Sequence, residues 1–170
     1  VTLPHHLDFN LPGMTHGAHV TIDDAHMGGA LAMAEPKTRR ALTEFKRHNY
    51  DEVLKILDRP QHRNLTACFI RGVAHVMVGN YQTAIDQLNI ILSNKRGRNS
   101  PTTHYNRAIA YTHLDRHDEA IVDVTTAINL RQGQPDYFML RNFLFRQRNM
   151  YGEAQRDYAM ANKYKAREES

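Results

Sequence analysis

One short motif returns four times along this chain, and its spacing limits the possible folds more than any other feature. Asn49-Tyr50-Asp51-Glu52-Val53, Asn80-Tyr81-Gln82-Thr83-Ala84, Arg116-His117-Asp118-Glu119-Ala120 and Met150-Tyr151-Gly152-Glu153-Ala154 align, and their last residues fall 31, 36 and 34 positions apart. An apolar pattern at i, i+3, i+4 and i+7 spacing precedes and follows each copy, as in Ala120, Ile121, Val124, Ala127 and Ile128. That spacing is the mark of a half-buried helix. Each copy therefore sits at the turn between two helices. Neither helix can bury its apolar stripe alone, so successive units must stack.

The pattern places helices over 38–47, 50–59, 64–78, 81–93, 102–114, 117–130, 136–148 and 151–166. Pro101 and Pro135 suit the first turns of the helices they introduce. Pro60 cuts the second helix short. No strand is expected, because no stretch alternates apolar and polar residues between turn signals.

These units resemble the tetratricopeptide repeat family. That family has a small residue at the eighth position of the repeat, an aromatic at the eleventh and Ala at the twentieth. The second unit offers Gly72, His75 and Ala84, the third Ala108, Tyr111 and Ala120, and the fourth Asn142, Phe145 and Ala154. The small twenty-seventh position is Ala127 and Ala161 in units three and four, but Ile91 in unit two. The first unit is degenerate, with Glu44 for the aromatic and Val53 for Ala. The resemblance implies an all-α, right-handed α-solenoid of about four repeats over residues 37–170, joined to a non-repetitive N-terminal arm over residues 1–36.

The arm differs from the body in charge and in backbone chemistry. Residues 1–36 hold Asp8, Asp23, Asp24 and Glu35 and no Lys or Arg, whereas the rest of the chain holds 22 basic and 14 acidic residues. Pro4, Pro12, Gly13, Gly17, Gly28 and Gly29 break any long helix in the arm. Ten sizeable apolar side chains, Phe9 and Leu11 among them, favour a packed arm over a solvated one. We expect it to lie along this body or a neighbouring subunit, with Met27–Met33 as a short docked helix. Its five His would make docking pH-sensitive. The absence of early positive charge argues against an intact presequence or secretory signal. No window approaches ~18 consecutive apolar residues, so no membrane-spanning helix is expected. Cys68 is the one cysteine, which leaves no disulfide framework and suggests an intracellular setting, cytoplasmic or organellar.

Catalytic chemistry has no foothold in the sequence, and an enzyme is not expected. There is no Gly-rich phosphate loop, nucleophile elbow or His-Glu-x-x-His. His5, His6, His16, His19 and His26 match no compact metal loop, so neither a metal nor a cofactor is expected. Cys68 falls at a packing position and reads as a buried structural residue.

Binding is the remaining class. Arg40, Arg71, Arg107 and Arg141 occupy one place in the four units, and Asp123 and Asp157 recur on the second helices. An acidic ligand could use such a ladder, but the recurring Asp favours structural ion pairs, Arg107 with Asp123 and Arg141 with Asp157. In the family the first helices line a concave groove. The resemblance implies a partner groove of Phe69, Val73, Met77, Tyr105, Ile109, His113, Met139 and Phe143, apolar and aromatic in character. A family subclass clamps acidic chaperone tails with Lys, Asn and Arg. Here only Asn106 matches that clamp, while Phe69, Val73, Asp136 and Leu140 stand at its other positions, so that role is disfavoured. Phe138, Met139, Leu140, Phe143, Leu144 and Phe145 concentrate apolar surface in one helix, more than the last helix is expected to cover. The expectation is a protein-binding scaffold or accessory subunit of a larger assembly. The alternative is an RNA- or nucleoprotein-associated repeat protein using the basic loop Lys95, Arg96 and Arg98.

Overall fold

A computed structural model describes residues 8–9, 18–19, 35–59 and 64–168. The expected Met27–Met33 helix and most of the arm histidines lie outside the described residues. Among the described residues there are eight helices: α1 (Pro36–Lys46), α2 (Tyr50–Ile56), α3 (Leu65–Met77), α4 (Tyr81–Ser93), α5 (Pro101–His113), α6 (His117–Leu130), α7 (Pro135–Gln147) and α8 (Tyr151–Glu168). The all-α expectation holds, apart from one two-residue antiparallel ladder. In that ladder β1 (Asp8–Phe9) pairs with β2 (Ala18–His19), Asp8 opposite His19 and Phe9 opposite Ala18.

The repeat is written into the backbone at its turns. His48, Gly79, Asp115 and Asn149 each take positive φ, at 62°, 81°, 55° and 57°. Each is followed by an amide that donates back five residues: Asn49 to the Glu44 carbonyl, Asn80 to His75, Arg116 to Tyr111 and Met150 to Phe145. This 6→1 bond closes a helix in the Schellman manner and reverses the chain into the next helix. Gly, Asn and Asp tolerate the left-handed region best, so three of these four turns carry suitable residues.

Helix starts follow equally local chemistry. The Asn64 side chain accepts from the Ala67 amide at 3.0 Å, and the Ser100 hydroxyl accepts from Thr103 at 3.2 Å. Both are N-caps that satisfy otherwise orphaned donors. Pro36, Pro101 and Pro135 stand in the first turn, where a missing N–H costs nothing. The helix expected over 50–59 stops earlier, at Ile56. Pro60 is consistent with this, because a proline there cannot donate to the Ile56 carbonyl four residues back and also restricts Arg59.

The described residues form two compact units. The first holds α1 to α4, residues 35–59 and 64–99, and the second holds the strand pair and α5 to α8, residues 100–168. In the first unit α1 packs on α2 and α3, and α3 packs on α4. Its core includes Ala41, Val53, Leu57, Ile70, Val73, Ala84 and Leu88. Gly72 sets the α3–α4 approach: a Cβ there would stand 3.0 Å from Leu88 Cδ2. In the loop after α4, a Cβ on Gly97 would come 2.5 Å from the Ile91 carbonyl oxygen, so this turn needs glycine.

In the second unit α5 packs on α6 and α7, α6 on α7, and α7 on α8. The small family positions Ala108, Ala120, Ala154 and Ala161 are all buried there. The apolar surplus expected on α7 is largely absent. Phe138, Leu140, Phe143 and Leu144 are buried, and Phe138 stacks on Tyr164 with centroids 5.4 Å apart. Tyr164 belongs to α8, so the last helix covers that ring.

Candidate functional site

Two sets of side chains on the first helix of each repeat bear on function: the arginine ladder and the row assigned to the groove. The ladder is graded along the chain. In the second unit Arg107 donates to Asp123 from Nε at 2.6 Å and from a terminal nitrogen at 2.7 Å. Arg141 does the same to Asp157 at 2.7 and 2.8 Å. Both are bidentate fork pairs, the strongest side-chain geometry for opposite charges. The carboxylates are almost wholly enclosed, with Asp123 at 3% and Asp157 at 5% side-chain exposure. Burial opposes ionisation of Asp123, yet the hydrogen bonds from Arg107 and His104 outweigh it and hold the carboxyl below its ordinary value. Arg107 itself is held above its ordinary value, because Asp123 outweighs the desolvation of the guanidinium.

Further contacts fix these arginines. His104 Nδ1 lies 2.9 Å from the Asp123 carboxylate. Arg141 also donates to the Thr125 hydroxyl at 3.2 Å, tying α7 to α6 as well as α8. The Arg107 guanidinium lies 5.7 Å from the Tyr111 ring centroid, and Arg141 lies 5.5 Å from that of Phe145. These aromatics stand at the eleventh repeat position, so the ring covers the guanidinium one turn away.

In the first unit the same arginines meet other partners. Arg71 donates to the neutral Gln87 at 3.2 Å, across the same 16-residue interval. Arg40 meets Glu52 at 3.1 Å on the surface, where its side chain is 68% exposed. His75, at the eleventh position of this repeat, is buried, and neither ring nitrogen has a hydrogen-bond partner among the described residues. Burial, reinforced by the Arg71 charge, pushes its pKa down. Burial does the same to His113 on α5.

The groove row is divided between the units. Phe69, Val73 and Met77 lie on α3, Tyr105, Ile109 and His113 on α5, and Met139 and Phe143 on α7. Val73, Tyr105 and Ile109 have no exposed surface, and Phe69 and Phe143 are nearly buried. Met77, His113 and Met139 are half-buried. Packing between first helices accounts for part of this. The Tyr105 and Tyr137 rings lie 4.7 Å apart, one on α5 and the other on α7. Asn106, the one match to the acidic-tail clamp, is fully buried, and its Nδ2 donates to the Thr102 carbonyl of its own helix.

His104 is the residue that sequence reasoning missed. It belongs to no repeated feature, and only the packing of α5 on α6 brings it to Asp123. Cys68 is buried in α3. Lys95, Arg96 and Arg98 are exposed in the loop after α4. Among the described residues, no three His, Cys, Asp or Glu side chains gather as a metal site would require. No helix among them is long and apolar enough to cross a membrane.

No protein-family model matches the chain, and no curated protein matches it. Solved structures do. A crystal structure of MamA superposes with a TM-score of 0.72 at 16% identity, covering 88% of this chain and 98% of that one. MamA residues 41 to the end from Desulfovibrio magneticus RS-1 give 0.72 at 15% identity, covering 79% and 77%. MamA AMB-1 gives 0.64 at 22% identity, covering 75% and 76%. Likeness at this identity speaks to the fold alone. The repeated turns, the small helix-contact positions and these superpositions together give the chain a TPR-like helical-repeat fold.

Proposed function

We propose that this chain is a non-enzymatic protein-binding scaffold or accessory subunit that takes an apolar or amphipathic partner segment on the first-helix faces of its repeats. In the first unit the segment would meet α3 at Phe69, Val73 and Met77. In the second it would meet α5 and α7 at Tyr105, Ile109, His113, Met139 and Phe143. The single observation that carries this reading is the engagement of Arg107 and Arg141 by enclosed carboxylates. The charge of these two arginines is engaged inside the fold, which leaves the half-buried Met77, His113 and Met139 as the part of the apolar row that a partner can reach. The burial of Asn106 supports the same choice over an acidic-tail clamp.

The test is fluorescence anisotropy with two labelled probes, a synthetic amphipathic helix with an apolar stripe and an acidic peptide ending in a free carboxylate. The amphipathic probe should bind the full chain, weaken on Met139→Glu and change little between low and moderate salt. Preferential binding of the acidic probe, lost on Asn106→Ala, would overturn the reading. The exposed Lys95, Arg96 and Arg98 favour the nucleic-acid alternative. Salt-dependent retention on a phosphate column, abolished by replacing those three residues, would support it instead.

A further inference from the structure

Ser100 joins two features that the groove does not use. It stands before Pro101, and of the six prolines in the chain this is the one preceded by a hydroxyl side chain. Its backbone is extended, at φ −85° and ψ 106°. A following proline favours that conformation, and a protein-kinase cleft takes its substrate as an extended segment. Asn94, Lys95, Arg96, Arg98 and Asn99, immediately upstream, are exposed, and Ser100 itself is half-buried. No acidic residue occurs between Asp86 and Asp115.

The hydroxyl also sits where a helix receives negative charge. Ser100 is the N-cap of α5, and its Oγ accepts from the Thr103 amide at 3.2 Å and from the Thr103 hydroxyl at 2.8 Å. The first-turn amides of a helix have no acceptor within it, and the helix dipole places positive charge there. The first turns of α2 and α6 hold Asp51 and Glu52, and Asp118 and Glu119, whereas that of α5 has no acidic residue. Next to the cap in the same turn, Thr102 is 2% exposed, and its hydroxyl has no hydrogen-bond partner among the described residues.

We propose that Ser100 is a modification site, the phosphoacceptor of a proline-directed protein kinase, and that the phosphate stays on α5 as a charged cap. In the transfer Ser100 Oγ bonds to the γ-phosphorus of a magnesium-bound nucleoside triphosphate. The bond from that phosphorus to the β–γ bridging oxygen breaks, and the diphosphate leaves. The hydroxyl proton passes to the catalytic carboxylate of the kinase. The new group carries about −1.5 to −2 charge at neutral pH and brings strong acceptor oxygens. It supplies the anion that the first turn of α5 lacks and gives the first-turn amides acceptors. It also offsets most of the charge of Lys95, Arg96 and Arg98, which precede it in the sequence.

The test uses the folded full chain, a recombinant proline-directed kinase and magnesium ATP, with the site mapped by mass spectrometry. A single phosphate should appear, on Ser100, and none on Ser100→Ala. Pro101→Ala keeps both the cap and the hydroxyl, and should slow the transfer by about tenfold or more. The modified chain should melt about 2–4 °C higher than the unmodified one. Its Thr102 and Thr103 amide signals should move with the second ionisation of the phosphate, near pH about 6. A folded chain that takes no phosphate at Ser100, or a Pro101→Ala chain modified as fast as the wild type, would overturn the site. A phosphorylated chain that melts lower, or whose Thr102 and Thr103 amides do not respond, would overturn the charged cap.

Discussion

Arg107 and Arg71 hold the same position in successive repeats, reach across the same 16 residues and meet different chemistry. Arg107 closes a fork on an enclosed Asp123, and Arg71 makes one longer bond to the neutral Gln87. The second unit repeats the fork at Arg141 and Asp157, whereas the first unit ends with Arg40 on the surface beside Glu52. The aromatic position follows the same gradient. Tyr111 and Phe145 cover their arginines, while His75 puts a polar ring into the core and Glu44 supplies no ring at all. The first helix's arginine is therefore a joint between the two helices of its own repeat. Its strength depends on what the second helix offers.

The largest effect should follow from breaking the strong joint. Arg107→Ala leaves Asp123 enclosed with His104 as its remaining hydrogen-bond partner among the described residues, and should cost about 3 kcal/mol in urea denaturation. Arg71→Ala strands a neutral amide and should cost about 1 kcal/mol. Equal losses would remove the distinction between the units. Next, Asp123→Asn makes the third repeat resemble the second, and should cost about 2 kcal/mol near neutral pH. That difference should shrink on acidification toward and below about pH 4. The folded carboxyl ionises below its unfolded value, so its contribution is present above that value and lost as pH falls.

The core histidine offers a gentler adjustment. His75→Phe restores an aromatic at the eleventh position and removes two buried nitrogens without partners among the described residues. It should raise stability by about 1 kcal/mol at neutral pH. The effect should grow in acid. The folded imidazole resists a proton that the unfolded chain accepts below about pH 6.5, so wild-type stability falls as pH drops through that range. A melt series over that range should show a shallower decline in the variant, with His113 maintaining part of it. The smallest effect belongs to Arg40→Ala, at under about 0.5 kcal/mol, since its ion pair with Glu52 is solvent-screened.

Much of the fold was legible because the turns are local. The helices over 81–93 and 117–130 appear with the bounds expected from the sequence. The positive-φ residues His48, Gly79, Asp115 and Asn149 precede each repeated motif, and Gly, Asp and Asn at that place were a readable signal for it. The site was less legible. Whether Tyr105 faces a partner or Tyr137 depends on how first helices pack, and no periodicity states that. The approach of His104 to Asp123 across 19 residues is likewise a product of packing. The surplus read on α7 failed for a related reason, since the packing that brings Tyr164 onto Phe138 decides how much of it is covered, and the extent of the last helix does not state that packing.

If the ladder belongs to the fold and not to a ligand, its energy must be present in the free protein. A double-mutant cycle on Arg107 and Asp123, measured by urea denaturation of the full chain without partner, tests this most directly. A coupling of about 2 kcal/mol, against under about 1 kcal/mol for the Arg71 and Gln87 cycle, is the result predicted here. Near-zero coupling at Arg107 and Asp123 in a folded chain would contradict it and return the arginines to the binding surface.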